Sequence, residues 1–369
     1  MSYLARMIPA PILVDVRHGA LGDLRKVLAD QRISSSGRMA VAVGATYGPV
    51  VREKFHHGLP GADWFTVGGG TLDAAIKLVE EVKLQRYDAI VGIGGGTVLD
   101  VTKFAAARLG LPMVAVATNL AHDGFASPIC TLGNDAGRGS YGVPAPIAVL
   151  VDLDLISQAP PRAVRSGIGE IVSNLSAIAD WETSHFLRGE SIDGLAASLA
   201  RSAAQAVMNH PGGIGDDTFL TTLAEGLVLS GISMVVAGSS RPCSGACHEI
   251  SHAIDLLHPG RQGFHGEQVG VGAAFAWFLR GEVDHFHATV DCLYRHGLPV
   301  RPADLGFTLD EFAEIVAYAP QTRPGRFTVL EEAALTPERI SLKVADFNDH
   351  AYVRITQPRI TPEGRSLDT

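Results

Sequence analysis

Apolar runs of four or five residues recur along the first part of the chain: Met39–Val43 (MAVAV), Trp64–Val67, Ala89–Ile93 (AIVGI), Met113–Ala117 (MVAVA) and Ile147–Val151 (IAVLV). They are continuous where a half-exposed strand would alternate, which is the pattern of strands buried on both faces. Between them Leu72–Gln85 and Leu99–Arg108 carry helical spacing. Strand and helix in alternation predict a parallel sheet covered on both sides, an α/β domain over residues 1–158. Pro160-Pro161 then punctuates the chain, and its character changes. From Arg162 to about Leu279 the pattern is long, helical and rich in Ala, Leu and Ser, with breaks at Gly238, Pro242, Pro259 and Gly260. Pro320–Thr369 is richer in Pro and Arg, predicting a closing helix and a polar tail. Residues 159–369 therefore read as an all-helical domain, and a cleft between two such domains is a common place for a site.

The 369 residues include 46% hydrophobic and 19% charged positions, enough for a sizeable core in two domains. A formal net charge of −9 argues against a protein that grips a nucleic-acid backbone. It leaves an anionic small molecule open, because one local Arg or a helix N-terminus can hold a phosphate. The start, MSYLARMIPAPILVDV, lacks the h-region and cleavage site of a signal peptide. Gly226–Gly238, the most apolar helical stretch, is interrupted by Ser230, Gly231 and Ser233, so no membrane span is expected. Four cysteines in a chain of this length do not suggest a disulfide framework. The expectation is a soluble, cytoplasmic protein.

Ile93-Gly94-Gly95-Gly96-Thr97-Val98-Leu99-Asp100 follows a strand and opens a helix. Glycines let a backbone approach a pyrophosphate, and a helix N-terminus supplies free N–H groups. The run is not the GxGxxG fingerprint, and a plain strand-to-helix turn explains a glycine triplet equally well. A second triplet, Gly68-Gly69-Gly70, shows how readily such runs arise.

His248, His252, His258 and His265 fall within one short stretch. His248 and His252 are four apart on a predicted helix and share a face. With Glu249 they spell His248-Glu249-Ile250-Ser251-His252, the HExxH pattern of zincin peptidases. A packed histidine pair is the bland alternative. Cys243 and Cys247 stand beside the cluster; without a second pair they read as small packing residues before zinc ligands.

Gly94-Gly95-Gly96-x-x-x-Asp100, Ala121-His122-Asp123-Gly124-Phe125-Ala126-Ser127-Pro128, Ser240-Arg241-Pro242-x-Ser244-Gly245 and His265-Gly266-Glu267-Gln268-Val269 occur in that order. Together they resemble the glycerol-1-phosphate dehydrogenase family, part of the wider iron-containing alcohol dehydrogenase, glycerol dehydrogenase and dehydroquinate synthase group. Arg323-Pro324-Gly325-Arg326-Phe327-Thr328-Val329-Leu330 is similar to the family's late Arg-Tyr-Thr-Ile-Leu segment. The resemblance spans essentially the whole chain. It implies a dehydroquinate synthase-like fold, with a nucleotide-binding α/β domain, a helical domain and one divalent metal, usually zinc, in the cleft. It also implies a homo-oligomer acting on a small phosphorylated ketone or polyol, dihydroxyacetone phosphate and glycerol 1-phosphate.

Carried onto this chain, the resemblance implies metal ligands at Glu170, which follows Gly167-Ile168-Gly169, and at His248 and His265. His252 matches a substrate contact, so only one histidine of the HExxH run is implied as a ligand. Asp123 is implied to bond a substrate hydroxyl, with His252 binding substrate or relaying its proton; alone, Asp123 reads equally as a helix cap. Gly94, Gly95, Gly96, Thr97, Val98, Leu99 and Asp100 are implied around the pyrophosphate, and Thr118, Ala121 and Ser127 beside the nicotinamide. Lys103 reads as a solvated charge. Gly44-Ala45-Thr46 ends the Met39–Val43 strand where related glycerol dehydrogenases carry an Asp that holds the ribose 2′-OH, so NADP is permitted beside NAD.

One residue departs from the pattern. The dehydrogenases carry Asp where this chain has Glu170, and Glu there resembles the sugar-phosphate cyclase branch. That branch continues with a Val-Ile-Lys-type run, whereas this chain has Ile171-Val172-Ser173-Asn174-Leu175 and then Asp180-Trp181-Glu182, as in the polyol-phosphate dehydrogenases. Three alternatives stay open: a cyclase using NAD transiently, a zincin-type hydrolase, and an inactive cofactor-binding paralogue.

Overall fold

The computed structural model describes residues 11–46, 48–55, 59, 61–134, 137–261 and 263–357. Six strands, β1 (Leu13–Arg17), β2 (Met39–Gly44), β3 (Ala62–Val67), β4 (Ala89–Gly94), β5 (Met113–Ala117) and β8 (Ala148–Asp152), form one parallel sheet in the order β1-β8-β5-β4-β2-β3. β6 (Ile129–Asn134) and β7 (Gly137–Gly142) make a separate antiparallel hairpin. The first helices are α1 (Leu24–Leu28), α2 (Gly48–Phe55), α3 (Leu72–Val82), α4 (Gly96–Leu109) and α5 (Leu153–Ile156). Among the described residues no strand occurs from Pro161 on, and the helices begin with α6 (Pro161–Arg188), α7 (Gly194–Asn209), α8 (Asp217–Ala237), α9 (Ala246–Leu257) and α10 (His265–Arg280). α11 (Val283–Arg295), α12 (Leu309–Tyr318), α13 (Val329–Ala333) and α14 (Pro337–Thr356) complete the set.

The apolar runs are strands for the reason their pattern implies. In β2, β4, β5 and β8 successive side chains enter opposite cores: Ala40, Ala42, Ile90, Ala115 and Val149 on one face, Val41, Val43, Val91, Val114 and Leu150 on the other. Two elements lack that signal. β1 is an edge strand with no fully buried position, and the hairpin strand β7 is half glycine (GRGSYG). α4 begins three residues before the predicted Leu99, with Gly95 as its N-cap. The predicted closing helix is α14, and the tail after Gln357 lies outside the described residues.

By length and composition alone α8 could cross a membrane, but 61% of its apolar window is buried inside the molecule, as in the core helix of a globular domain. It packs along α7 and against the turn that carries Asp123. Gly231 allows the second contact, since a Cβ there would collide with the Ala126 backbone.

Candidate active site

Strand order reverses between β2 and β4, and ligands of open parallel sheets bind beyond the strand C-termini at such points. A cleft of about 320 Å³ lies there, lined by residues following four strands, including Gly44, Gly68, Gly94, Gly95, Thr97 and Thr118. Gly95 and Gly96 leave room for the ends of two side chains: a Cβ would meet the Asn119 amide at the first and the His122 ring at the second. Gly95, Thr97 and Val98, at the start of α4, line this space, and a helix N-terminus is a ready site for a phosphate. Gly68 and Gly69 also line the cleft.

The other sequence-named residues of this region sit behind or beside the cleft. Val98 and Leu99 are buried. Asp100 is engaged through one oxygen with Lys103 Nζ at 3.2 Å and through the other with the Thr131 N–H at 3.2 Å. Lys103 corrects the expectation of a solvated charge. It is 1% exposed, and its ammonium donates to the carbonyls of Gly124 (2.6 Å), Ser127 (3.4 Å) and Ile129. That bond set clamps the segment bearing Asp123. Ser127 lines the main cleft, and Ala121 accepts from Ser166 Oγ through its carbonyl at 2.9 Å.

The main cleft, about 440 Å³, runs between this segment and the helices, and holds Asp123, Glu170, His248, His252, His265 and Arg323 in its walls. Close backbone approach sets its geometry. A Cβ at Gly167 would collide with the Leu120 carbonyl, one at Gly169 with the Gly266 carbonyl, and one at Gly266 with the Ser166 carbonyl. Glycine at 169 and 266 lets α6 and α10 touch backbone to backbone, which brings Glu170 against the first residue of α10, His265. α9 joins them because Gly272 lets α10 approach Cys247, whose Cα would lie 2.9 Å from a Cβ there.

Glu170, His248 and His265 each offer one ligand atom, all within 4.8 Å of one another. Glu170 Oε1 is 3.8 Å from His248 Nε2, and Oε2 is 3.5 Å from His265 Nε2. The other ring nitrogens are held from behind: His265 Nδ1 by Ser251 Oγ at 3.0 Å, His248 Nδ1 near Cys247 Sγ at 3.3 Å. Ser251 is itself fixed by donating to Gln268 Oε1 at 2.6 Å. Burial pushes both imidazoles down to about 3, so both are neutral with free lone pairs. Glu170 Oε2 is buried without a hydrogen-bond partner. A carboxylate with an unsatisfied oxygen facing two neutral, oriented imidazoles is a donor set that fits a divalent cation.

His252 is not in that trio. Its Nε2 accepts from Arg323 Nη2 at 3.1 Å, and burial drives its pKa down to about 3. Glu249, which would be the base of an HExxH peptidase, leaves the cleft altogether. It is fully buried and accepts from Thr328 Oγ1 at 3.1 Å, and burial with nearby Glu331 pushes it up to about 8. Asp123 is buried and accepts from Ser230 Oγ at 2.8 Å; burial and the Glu170 charge push its carboxyl up. Cys243 and Cys247 are buried free thiols. Cleft residues given no role from sequence include Ser240, Ser244 and Arg323, although two of the quoted motifs contain them.

An iron-containing alcohol dehydrogenase family model matches residues 15–160. The chain is 36% identical to glycerol-1-phosphate dehydrogenase (NAD(P)+) of Hyperthermus butylicus, over 90% of this chain and 95% of that protein. The enzyme of the same name from Archaeoglobus fulgidus is 36% identical over 76% of this chain and 82% of its own. Among solved structures, a probable glycerol dehydrogenase from Sinorhizobium meliloti aligns with TM-score 0.77 at 20% identity, covering 94% and 99%. Sulfoacetaldehyde reductase of Bifidobacterium kashiwanohense, in complex with NAD+, aligns with TM-score 0.70 at 15% identity, covering 94% and 99%. The chain belongs to the glycerol-1-phosphate dehydrogenase family, within the iron-containing alcohol dehydrogenase group.

Proposed function

We propose that the protein is an NAD(P)-dependent oxidoreductase interconverting dihydroxyacetone phosphate and glycerol 1-phosphate, with one zinc ion held by Glu170, His248 and His265. The observation that carries this is the oriented carboxylate–bis-imidazole trio opening into the same cleft as Asp123 and His252. The names of its relatives support the substrate. In the reducing direction a hydride is delivered to the carbonyl carbon and a proton to its oxygen, consuming NAD(P)H and H⁺. When bound, the cation supplies Lewis acidity toward the substrate oxygen, and the nicotinamide supplies the hydride.

The chain's own residues do the rest. The first turn of α4 cradles the dinucleotide pyrophosphate, and Thr118, Ala121 and Ser127 flank the nicotinamide end. Asp123, steadied by Ser230 and by the Lys103 clamp on its loop, bonds a substrate hydroxyl. His252 is neutral; with Nε2 committed as acceptor to Arg323, its proton sits on Nδ1, where it can bond or relay to a substrate oxygen. Asp123, Glu170 and His248 are buried while His252 and His265 are half-buried, so polar contacts on the buried side are strengthened by the exclusion of water.

The cyclase alternative needs a lysine in the cleft. Among the described lining residues there is none, and the position where a Lys is implied carries Ser173, whose hydroxyl donates to the Glu170 carbonyl at 2.8 Å. The test is product chemistry: with dihydroxyacetone phosphate the protein oxidises NAD(P)H in one-to-one ratio with glycerol 1-phosphate formed. Turnover of a sugar phosphate with no net change in NAD(P)H would replace this reading with the cyclase.

A further inference from the structure

Beyond His252 the cleft wall carries Arg323, and Arg326 shares its Ser240 acceptor from outside the lining; to neither guanidinium, among the described residues, is a carboxylate hydrogen-bonded. Arg241, nearby, is neutralised: Nε donates to Glu190 Oε1 at 2.7 Å and Nη2 to Glu190 Oε2. Arg323 and Arg326 have no such partner among the described residues. Arg323 Nη1 donates to Ser240 Oγ at 3.3 Å and Nη2 to His252 Nε2 at 3.1 Å. Arg326 Nη2 donates to Ser240 Oγ at 3.0 Å and Nη1 to the Ser244 carbonyl. All of these acceptors are neutral. Burial lowers both guanidinium pKa values, Arg326 to about 10, which still leaves two adjacent cations at neutral pH. Adjacent, partly desolvated cations are costly unless an anion joins them.

A second observation points the same way. Ser244 Oγ is buried, lines the cleft and has no hydrogen-bond partner. Ser240 Oγ receives from both arginines, which leaves its own proton free to donate. The N-terminus of α9 is not the attractor, because Asp180 Oδ2 already takes the Ala246 N–H at 2.8 Å.

We propose that Arg323, with the hydroxyls of Ser240 and Ser244 and with Arg326 as a backing charge, forms the subsite for the substrate's phosphate monoester. The planar guanidinium fork can donate two parallel N–H bonds to two phosphate oxygens, and hydroxyl donors serve the remaining one. The order along the wall is the ligand trio, then His252 one helical turn from His248, then Arg323. A short substrate with its oxygen at the trio therefore places its phosphate on the arginine. By bonding both phosphate and His252 Nε2, Arg323 couples recognition of the anion to the orientation of the ring that faces the reacting oxygen. The assignment rests on the polyol-phosphate reading above.

The experiment uses Arg323→Met, Arg323→Lys and Ser244→Ala in the metal-loaded protein. Two readouts are needed: kcat/KM for dihydroxyacetone phosphate against dihydroxyacetone, and calorimetric binding of inorganic phosphate in the presence of NAD+. Arg323→Met should lower the preference for the phosphorylated ketone by about 100-fold and weaken phosphate binding comparably. Arg323→Lys should recover part of both, and Ser244→Ala should lose about tenfold. Metal content and NAD+ binding equal to the unmodified protein show that each variant is folded. Equal losses on both ketones, or phosphate binding that survives Arg323→Met and Ser244→Ala unchanged, would overturn the assignment. An unmodified protein with no preference for the phosphorylated ketone instead removes the functional reading beneath it.

Discussion

A methyl group at Gly169 tests whether backbone contact between α6 and α10 builds the ligand trio. The Cβ of Gly169→Ala would stand 2.0 Å from the Gly266 carbonyl oxygen. Ordinary C···O contact begins near about 3.3 Å. The helices must therefore part by about 1.3 Å at this point, the difference of the two distances. Neither atom is the end of a flexible side chain, so rotamer changes cannot absorb it. Glu170 rides on α6 and His265 on α10, with their facing atoms now 3.5 Å apart. Metal–ligand distances tolerate only about 0.2 Å, and misplacements near 1 Å cost catalysis on the order of 100-fold. Overpacking of this kind costs roughly 1–3 kcal/mol, although Gly→Ala in an exposed helix would gain about 1 kcal/mol. Gly194, where an added methyl would meet nothing within 4 Å, is the control. Metal per chain by atomic emission, NADH oxidation and a thermal melt should all fall for Gly169→Ala and none for Gly194→Ala. A Gly169→Ala protein with one metal per chain and a rate within about threefold of the parent would show that backbone contact does not set the trio.

Four further outcomes follow from the same geometry. Glu170→Asp withdraws the carboxylate by about 1.5 Å, one carbon–carbon bond, so it should retain some metal and lose rate on dihydroxyacetone phosphate; a gain in rate would show the site is built for Asp. Glu249→Gln should leave metal content and turnover close to the parent, since Glu249 faces Thr328 and not the cleft; loss of metal-dependent turnover would revive the HExxH reading. The unmodified protein should use NADPH beside NADH, and Gly44→Asp should depress NADPH use by at least about tenfold more than NADH use; strict NAD specificity in the parent contradicts this. His296, stacked on Phe219 with centroids 4.9 Å apart, is pushed down to about 4 by burial and the Arg295 charge. A lowered folded-state value means its contribution to stability is full above about 6.5 and is lost as pH falls toward 4. The melting-temperature gap between parent and His296→Gln should change across that window, and a gap independent of pH would contradict the sign.

What the chain declares in advance depends on whether a residue's role is local. MAVAV, AIVGI, MVAVA and IAVLV are strands because burial on both faces demands unbroken apolar runs, and that demand is visible in the residues themselves. β1 and the β6–β7 hairpin are not visible, because an edge strand and a glycine-rich ribbon satisfy no such demand. Gly169 and Gly266 could be read as motif residues, yet the reason they are glycines is a contact between helices about a hundred positions apart in sequence. Lys103 shows the same limit: one Lys in the second turn of a helix carries no mark of burial, and only the folded loop supplies the carbonyls that receive it. HExxH misleads for a similar reason, since helical spacing puts His248 and His252 on one face but says nothing about what occupies His252 Nε2.

If Glu170, His248 and His265 form a single metal site required for hydride transfer, and His252 serves the substrate and not the metal, metal content and turnover must separate among the histidine variants. Metal-free protein should be titrated with zinc while NADH oxidation by dihydroxyacetone phosphate is followed, in the parent, His248→Ala, His265→Ala and His252→Ala. The expected result is activity rising linearly to one equivalent per chain in the parent, no tight binding in His248→Ala or His265→Ala, and one equivalent bound with little turnover in His252→Ala. Full activity without metal, or a His252→Ala protein as empty of metal as His248→Ala, would contradict it.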